Sequence, residues 1–212
     1  MTLRLHGFFN SSASYRVRIA LALKGLAYEY VGVDIRSGEH NGAAFRALNS
    51  NGLVPVLEID GQRLSQSLAI IDRLDRLKPT PLLIPALGER RDRVLEIAYL
   101  VACDVHPLNN PRVLKRLVQE GVDEAQKNAW YAHWVTVGFD ALEALLQGDD
   151  KWCVGDNPTL ADVCLVPQAA NAQRMNISLE PWPQISRIYA QALSHPAFMA
   201  AAPAQQPDYI AP

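Results

Sequence analysis

The chain has 212 residues and a mass of 23.4 kDa, enough for one large domain or two small ones. Hydrophobic residues make up 49% and charged residues 20%, and mean hydropathy is -0.03, which excludes a disordered chain. Twenty Lys and Arg against 22 Asp and Glu leave a net charge of -2, so no basic footprint for a nucleic-acid backbone is present.

The opening Met1 to Gly7 has no basic region followed by an apolar stretch, and every apolar run falls short of a bilayer span of about 20 residues. A cytoplasmic protein without a membrane partner is expected. Three cysteines, Cys103, Cys153 and Cys164, lack CxxC spacing, so they read as buried reduced thiols, with no disulfide framework and no zinc site.

In chain order, residues 3–9 alternate weakly as a strand and break at Asn10-Ser11-Ser12. Tyr15 to Lys24 then predicts a helix stopped by Gly25, and Tyr28 to Val33 a second strand. Parallel strands need such a crossover, so this is a βαβ unit. A short helix around Ala43 to Leu48 follows. Next, Val54 to Ile59, Asp60-Gly61 and Gln62 to Ser65 predict strand, hairpin turn and strand. Gln66-Ser67 opens an amphipathic helix with Leu68, Ile70, Ile71, Leu74 and Leu77 at helical spacing, which ends at Lys78-Pro79-Thr80-Pro81.

The order β-α-β-α-β-β-α thus fills residues 1–80. Residues 81–88, rich in Pro, Leu and Gly, suit a surface linker. Residues 89–212 then form an all-helical domain with helices over about 89–119, 123–146, 159–174 and 183–193, closing in a loose Pro-rich tail from Pro203. Thr159-Leu160-Ala161-Asp162 reads as a capping box, and Trp130, Trp134 and Phe139 as packing.

Three turns could carry chemistry. At Asn10 to Ser14, hydroxyls and backbone N–H groups gather at the positive end of a helix, a place that favours thiolate over thiol, although a plain serine cap accounts for the same residues. At Leu53-Val54-Pro55 a cis proline bond would turn the Val54 main chain toward a peptide-like ligand; a proline that simply starts an edge strand is the competing reading. Gln66-Ser67 starts another helix suited to a carboxylate, or is again only a cap. The element order sets all three turns along one side of the sheet, where an extended anionic peptide could lie. No Gly-rich nucleotide loop and no zinc-protease motif occurs.

The run Ser11-Ser12-Ala13-Ser14-Tyr15-Arg16-Val17-Arg18-Ile19-Ala20-Leu21-Ala22-Leu23-Lys24-Gly25 is similar to the signature of the zeta class of glutathione transferases. The resemblance continues through Gln66 to Ile71, His106 to Asn110, Val154 to Asp156 and Ala161 to Gln168, and so covers nearly the whole chain. It implies the glutathione transferase fold, a thioredoxin-like α/β domain followed by an all-α domain, arranged as a homodimer. It also implies glutathione as cofactor and cis–trans isomerisation of maleylacetoacetate or maleylpyruvate, in the breakdown of aromatic compounds.

Carried over by position, Ser11 and Ser12 face the glutathione sulfur, with Ala13 where many members carry cysteine; a mixed-disulfide route through that position is therefore closed. His40, Val54 with Pro55, and Gln66 with Ser67 fall on glutathione-binding positions, and His106 on one shared with the substrate. Asn10, His106, Asn109, Asn110, Arg112 and Arg174 would face a small unsaturated keto-dicarboxylic acid, with His106, Asn109, Asn110 and Arg112 expected on the first long helix of the second domain. Asn10 stands where isomerases of this class usually present an arginine, and a neutral amide brings no charge to a substrate carboxylate. The alternatives are a transferase that conjugates or dehalogenates small electrophilic acids, and a glutathione-binding protein without turnover.

Overall fold

The computed structural model describes residues 1–146 and 148–211. The chain divides into two compact units, one of Met1–Leu83 with Leu193–Pro212, the other of Ile84–Ala192.

The first unit holds a four-stranded sheet in the order β2-β1-β3-β4, with β1 Leu3–Gly7, β2 Glu29–Gly32, β3 Val56–Ile59 and β4 Gln62–Ser65. β1 runs parallel to β2 and antiparallel to β3, and β3 pairs antiparallel with β4. Helix α1 (Ser12–Leu23) makes the parallel crossover. It ends where the sequence predicts: Gly25 takes φ 56°, Gly25 N–H bonds Ala22 C=O and Leu26 N–H bonds Leu21 C=O, the paired bonds of a Schellman cap. The hairpin forms on Asp60 and Gly61, both with positive φ (47° and 83°), as a two-residue turn requires.

Alternation along the strands sorts the two faces. Leu5 pairs across Leu57, both fully buried, while His6 pairs across Val56, which clusters with Val33 and Phe45 under α2 (Ala43–Leu48). Helix α1 packs against α3 (Ser67–Leu77). A buried ion pair closes the unit beyond α3. Lys24 Nζ lies 2.6 Å from Asp75 Oδ1 and donates to the Lys78 and Pro81 carbonyls at 2.8 Å, and the Asp75 carboxylate accepts Leu83 N–H.

The second unit is helical: α4 (Glu89–Tyr99), α5 (Pro111–Gln119), α6 (Glu124–Leu145), α7 (Leu160–Arg174) and most of α8 (Pro183–Leu193). Asp162 is fully buried at the start of α7. Its Oδ2 accepts Thr159 N–H (2.8 Å) and the Thr159 hydroxyl (3.0 Å), and its Oδ1 accepts Cys153 N–H (2.8 Å). Burial raises its pKa against the lowering effect of those bonds.

Four expectations are corrected. The helix expected over 89–119 is interrupted: Leu100–Val105 is a π-helix and His106–Asn109 a turn, so only Arg112 of the substrate candidates there sits on a regular α-helix. This segment packs against α6 so closely that a Cβ on Gly138 would overlap Val105 Cγ2. The assignment of all residues 89–212 to one helical domain fails at its end. Residues 193–212, including α9 (Pro196–Ala201), belong to the first unit, where α9 packs on α1, and the expected loose tail is hydrogen-bonded to the sheet through Asp208. The linker is not wholly on the surface, since Leu83 and Ile84 are buried. Cys103 is exposed rather than buried. No helix among the described residues is long and apolar enough to cross a membrane.

Candidate functional site

Strand register brings the three turns of the first unit to one end of the sheet. His6 pairs with Val56 and Val56 with Ser65, so the exit of β1, the entry of β3 and the exit of β4 lie side by side. The residues that continue from those ends are Asn10 to Ala13, Val54-Pro55 and Gln66-Ser67.

Ser11 is the N-cap of α1: its Oγ accepts Ser14 N–H at 3.2 Å and its carbonyl accepts Tyr15 N–H at 2.8 Å. The capping reading is therefore correct for Ser11, yet a hydroxyl that accepts still has its own proton to donate. Ser12 begins the helix and is buried; Ala13 follows at the second position, where an α-helix provides no acceptor for its N–H. Asn10 is half-buried. The helix end thus offers a hydroxyl donor, backbone N–H and a positive partial charge together.

The Val54-Pro55 bond is cis. Among the described residues Val54 N–H and C=O have no hydrogen-bond partner, while its side chain packs against the Val33, Phe45 and Val56 cluster. A donor and an acceptor are left to a peptide-like ligand at the head of β3. Gln66, which precedes α3, takes φ 72°, a left-handed conformation that a residue with a Cβ occupies at a cost of order 1–3 kcal/mol. Ser67, buried, opens α3. His40 sits in a 3-10 turn (Glu39–Asn41); its Nε2 lies 3.2 Å from Asn41 Nδ2, and its Nδ1 is buried without a partner. An Nε2 that accepts from that amide leaves Nδ1 as the donor, with no acceptor among the described residues.

This set fits glutathione. A thiolate suits the α1 end, a carboxylate the α3 end, and the peptide between them the main chain of Val54; the orphaned Nδ1 of His40 is a donor for a further carboxylate or carbonyl.

The second unit gathers its candidates around α6. Asn109 is buried and donates its amide to Tyr131 C=O (3.1 Å), while Trp130 Nε1 donates to Leu108 C=O (2.9 Å), so two bonds pin the His106–Asn109 turn to one helix. Asn110 caps α5 by accepting Arg112 N–H. The Asn109 Nδ2 and the Asn110 Oδ1 are thus engaged in structure, whereas Asn109 Oδ1 is buried with no partner among the described residues. Arg112 and Arg174 are exposed, and Arg174 lies near the Tyr131 phenol, whose pKa burial raises and Arg174 lowers. Trp130 and Trp134 pack edge to face (5.6 Å), as do Phe139 and Trp182 (5.1 Å).

Sequence reasoning missed three groups that support the first turn. Buried Arg18 donates to the carbonyls of Phe8, Phe9 and Ala201, and its pKa is lowered by burial. Ser14 Oγ accepts Phe8 N–H. Asp208 accepts Phe9 N–H from 199 residues away, a pairing for which no local pattern exists.

Comparison with known proteins agrees with this geometry. Residues 10–77 match the glutathione S-transferase N-terminal domain and residues 134–196 its C-terminal domain. A maleylacetoacetate isomerase of Pseudomonas aeruginosa is 48% identical over 97% of this chain and 98% of its own length. The holo structure of a maleylpyruvate isomerase, described as a bacterial zeta-class glutathione S-transferase, is 46% identical with a TM-score of 0.95, covering 98% of this chain and all of that one. A maleylacetoacetate isomerase from Anaeromyxobacter dehalogenans, with glutathione bound in its active site, is 41% identical with a TM-score of 0.88 and covers 99% and 98%. The chain belongs to the zeta class of the glutathione S-transferase family, among its maleylacetoacetate and maleylpyruvate isomerases.

Proposed function

We propose that the protein is a glutathione-dependent cis–trans isomerase of maleylacetoacetate or maleylpyruvate. The observation that carries this reading is the alignment, at one end of a single sheet, of two helix N-termini with the unpaired main chain of Val54 between them in the register. Glutathione, when bound, supplies a thiolate whose reversible addition to the cis double bond permits rotation about it, and which leaves unchanged.

The chain's residues then have separate duties. Ser11 and Ser12 donate hydroxyl protons toward the sulfur, and the α1 terminus adds its positive partial charge; both lower the thiol pKa and neither transfers a proton permanently. Val54 orients the cysteinyl peptide, Gln66 and Ser67 hold the γ-glutamyl carboxylate, and His40 Nδ1 reaches a remaining carbonyl or carboxylate. His106 and the exposed Arg112 and Arg174 supply donors for a dicarboxylic keto acid, and guanidinium is the side chain best matched to a carboxylate. Charge that develops on the keto oxygen during addition is stabilised by such pre-placed donors. Ala13 brings no thiol to that position, so a mixed-disulfide route through it is closed.

The proposal extends to a cytoplasmic homodimer acting in aromatic-compound catabolism, as the zeta-class resemblance implies. Glutathione stoichiometry separates this reading from its neighbours. Many product molecules formed per glutathione support isomerisation; one glutathione lost per product indicates a transferase, and binding without turnover a non-catalytic relative. Asn10, neutral where an arginine is usual in this class, is the specific feature that favours keeping the transferase reading in the same assay.

A further inference from the structure

The turn that delivers Ser11 to α1 is held at its backbone groups from outside. Phe8 C=O accepts Ser11 N–H at 3.0 Å, which closes the turn, and Phe8 N–H reaches Ser14 Oγ at 3.4 Å. The intervening residue is gripped on both sides: Phe9 N–H donates to Asp208 Oδ2 at 3.0 Å, and Phe9 C=O accepts Arg18 Nη2 at 2.9 Å. An anion on the N–H and a cation on the C=O fix this residue's main chain more strongly than neutral partners would. The ring is held as well, with Tyr209 edge-on at 5.4 Å and the Arg36 guanidinium 5.2 Å from its centroid.

Asp208 is anchored for this task. The Tyr30 hydroxyl donates to the same Oδ2 at 3.1 Å, whereas Oδ1 is buried with no partner among the described residues. One oxygen of the Asp208 carboxylate thus takes both of its hydrogen bonds, and that oxygen is the one on Phe9 N–H. The approach also constrains β2: a Cβ on Gly32 would stand 3.0 Å from Asp208 Cβ, so a larger residue there would push the carboxylate away from Phe9.

We propose that Asp208 is a positioning residue for the thiolate site, setting Ser11 and Ser12 by clamping Phe9 N–H from the C-terminal segment. The inference rests on the reading of Ser11 and Ser12 as the pair that holds the glutathione sulfur. Asp208 touches no reacting atom; it fixes the turn from which the hydroxyl and the helix end are presented. Displacing that turn by a fraction of an ångström weakens the donor bonds to sulfur and raises the bound thiol's pKa.

The test is a pH titration of the ultraviolet absorbance of enzyme-bound thiolate in D208A, G32A, D208N and the serine variants, with thermal unfolding measured alongside. D208A and G32A should each raise the bound-thiol pKa by about half a unit or more, and D208N, which keeps an acceptor for Phe9 N–H, should restore most of the wild-type value. In the free protein, amide exchange at Ser11 should quicken in D208A and G32A and not in D208N. Should D208A not fold, G32A is read in its place, because it perturbs Asp208 from β2 without removing it. A lowered melting temperature with an unchanged thiol pKa in folded D208A or G32A overturns the proposal, since a merely structural residue would give that result. If S11A and S12A also leave the thiol pKa unchanged, the serine reading itself fails; if they raise it while D208A and G32A do not, only the role of Asp208 is lost.

Discussion

Replacing Lys24 by Met removes one side of a fully buried ion pair whose chemistry is otherwise complete. The ammonium has three donors and three acceptors: Asp75 Oδ1 at 2.6 Å and the carbonyls of Lys78 and Pro81 at 2.8 Å. Met keeps most of the side-chain volume, so the loss is electrostatic rather than a cavity. Hydrogen bonds to charged groups contribute about 1.5–3 kcal/mol each, but these three share one cation and do not add, so the better guide is the roughly 3–5 kcal/mol cost of stranding one charge of a buried pair. With a urea dependence of about 2–3 kcal/mol/M, the unfolding midpoint should fall by about 1–2 M. Removing both charges in K24M/D75L should cost less than the two single changes combined, by about 2 kcal/mol, because no uncompensated ion is left. The assay is urea unfolding at pH 7 followed by far-ultraviolet circular dichroism; all four tryptophans, Trp130, Trp134, Trp152 and Trp182, lie in the other unit, so their fluorescence does not report on this one. A midpoint shift below about 0.3 M for K24M, or strict additivity in the double variant, would refute the reasoning that this pair is desolvated and coupled.

Three further outcomes follow from the packing. Gly138→Ala should destabilise by about 1–3 kcal/mol, the reverse of the usual gain for this change inside a helix, because its Cβ would overlap Val105 Cγ2, and V105A should recover part of the loss in the double variant, as thermal unfolding would show. Asp162→Ala strands Thr159 N–H, the Thr159 hydroxyl and Cys153 N–H in the interior, and should cost about 3–5 kcal/mol by chemical denaturation. The hydrogen bond from His6, helped by the charges of His6, Arg4 and Arg63, holds the Glu58 carboxyl below its ordinary value. A depressed folded pKa contributes stability above the unfolded pKa and loses it as pH falls through the folded one, so wild type should lose stability below about pH 4.5 more steeply than E58Q, in denaturation midpoints measured from pH 6 to pH 3.

The sheet unit was legible in the sequence because its signals are local. Gly25 and the Asp60-Gly61 pair need only their own conformations, and the predicted β-α-β-α-β-β-α order is the observed one. The helix expected from Tyr15 begins three residues earlier, at Ser12, because the Ser11 side chain caps it by accepting Ser14 N–H. What was not legible depends on contacts distant in the chain. The π-helix at Leu100–Val105 has no Gly or Pro to mark it, so its local sequence reads as part of a continuous helix. Nothing local in the sequence shows that the Nδ2 of Asn109 is bonded to Tyr131 C=O, 22 residues away. Lys24, the last residue of the predicted helix, is one of the most buried side chains, and a Pro-rich ending concealed Asp208, whose partners are Phe9 and Tyr30. Charge in a sequence does not reveal whether a partner waits to bury it.

The central claim is that this chain isomerises a cis keto acid by means of glutathione. The most direct measurement follows maleylacetoacetate and maleylpyruvate spectrophotometrically with purified protein, with and without glutathione, in wild type and S12A. The account predicts rapid isomerisation of at least one acid only when glutathione is present, no net glutathione loss, and a marked fall in rate for S12A. Binding of glutathione with neither acid isomerised, or isomerisation that proceeds equally well without it, would contradict the account.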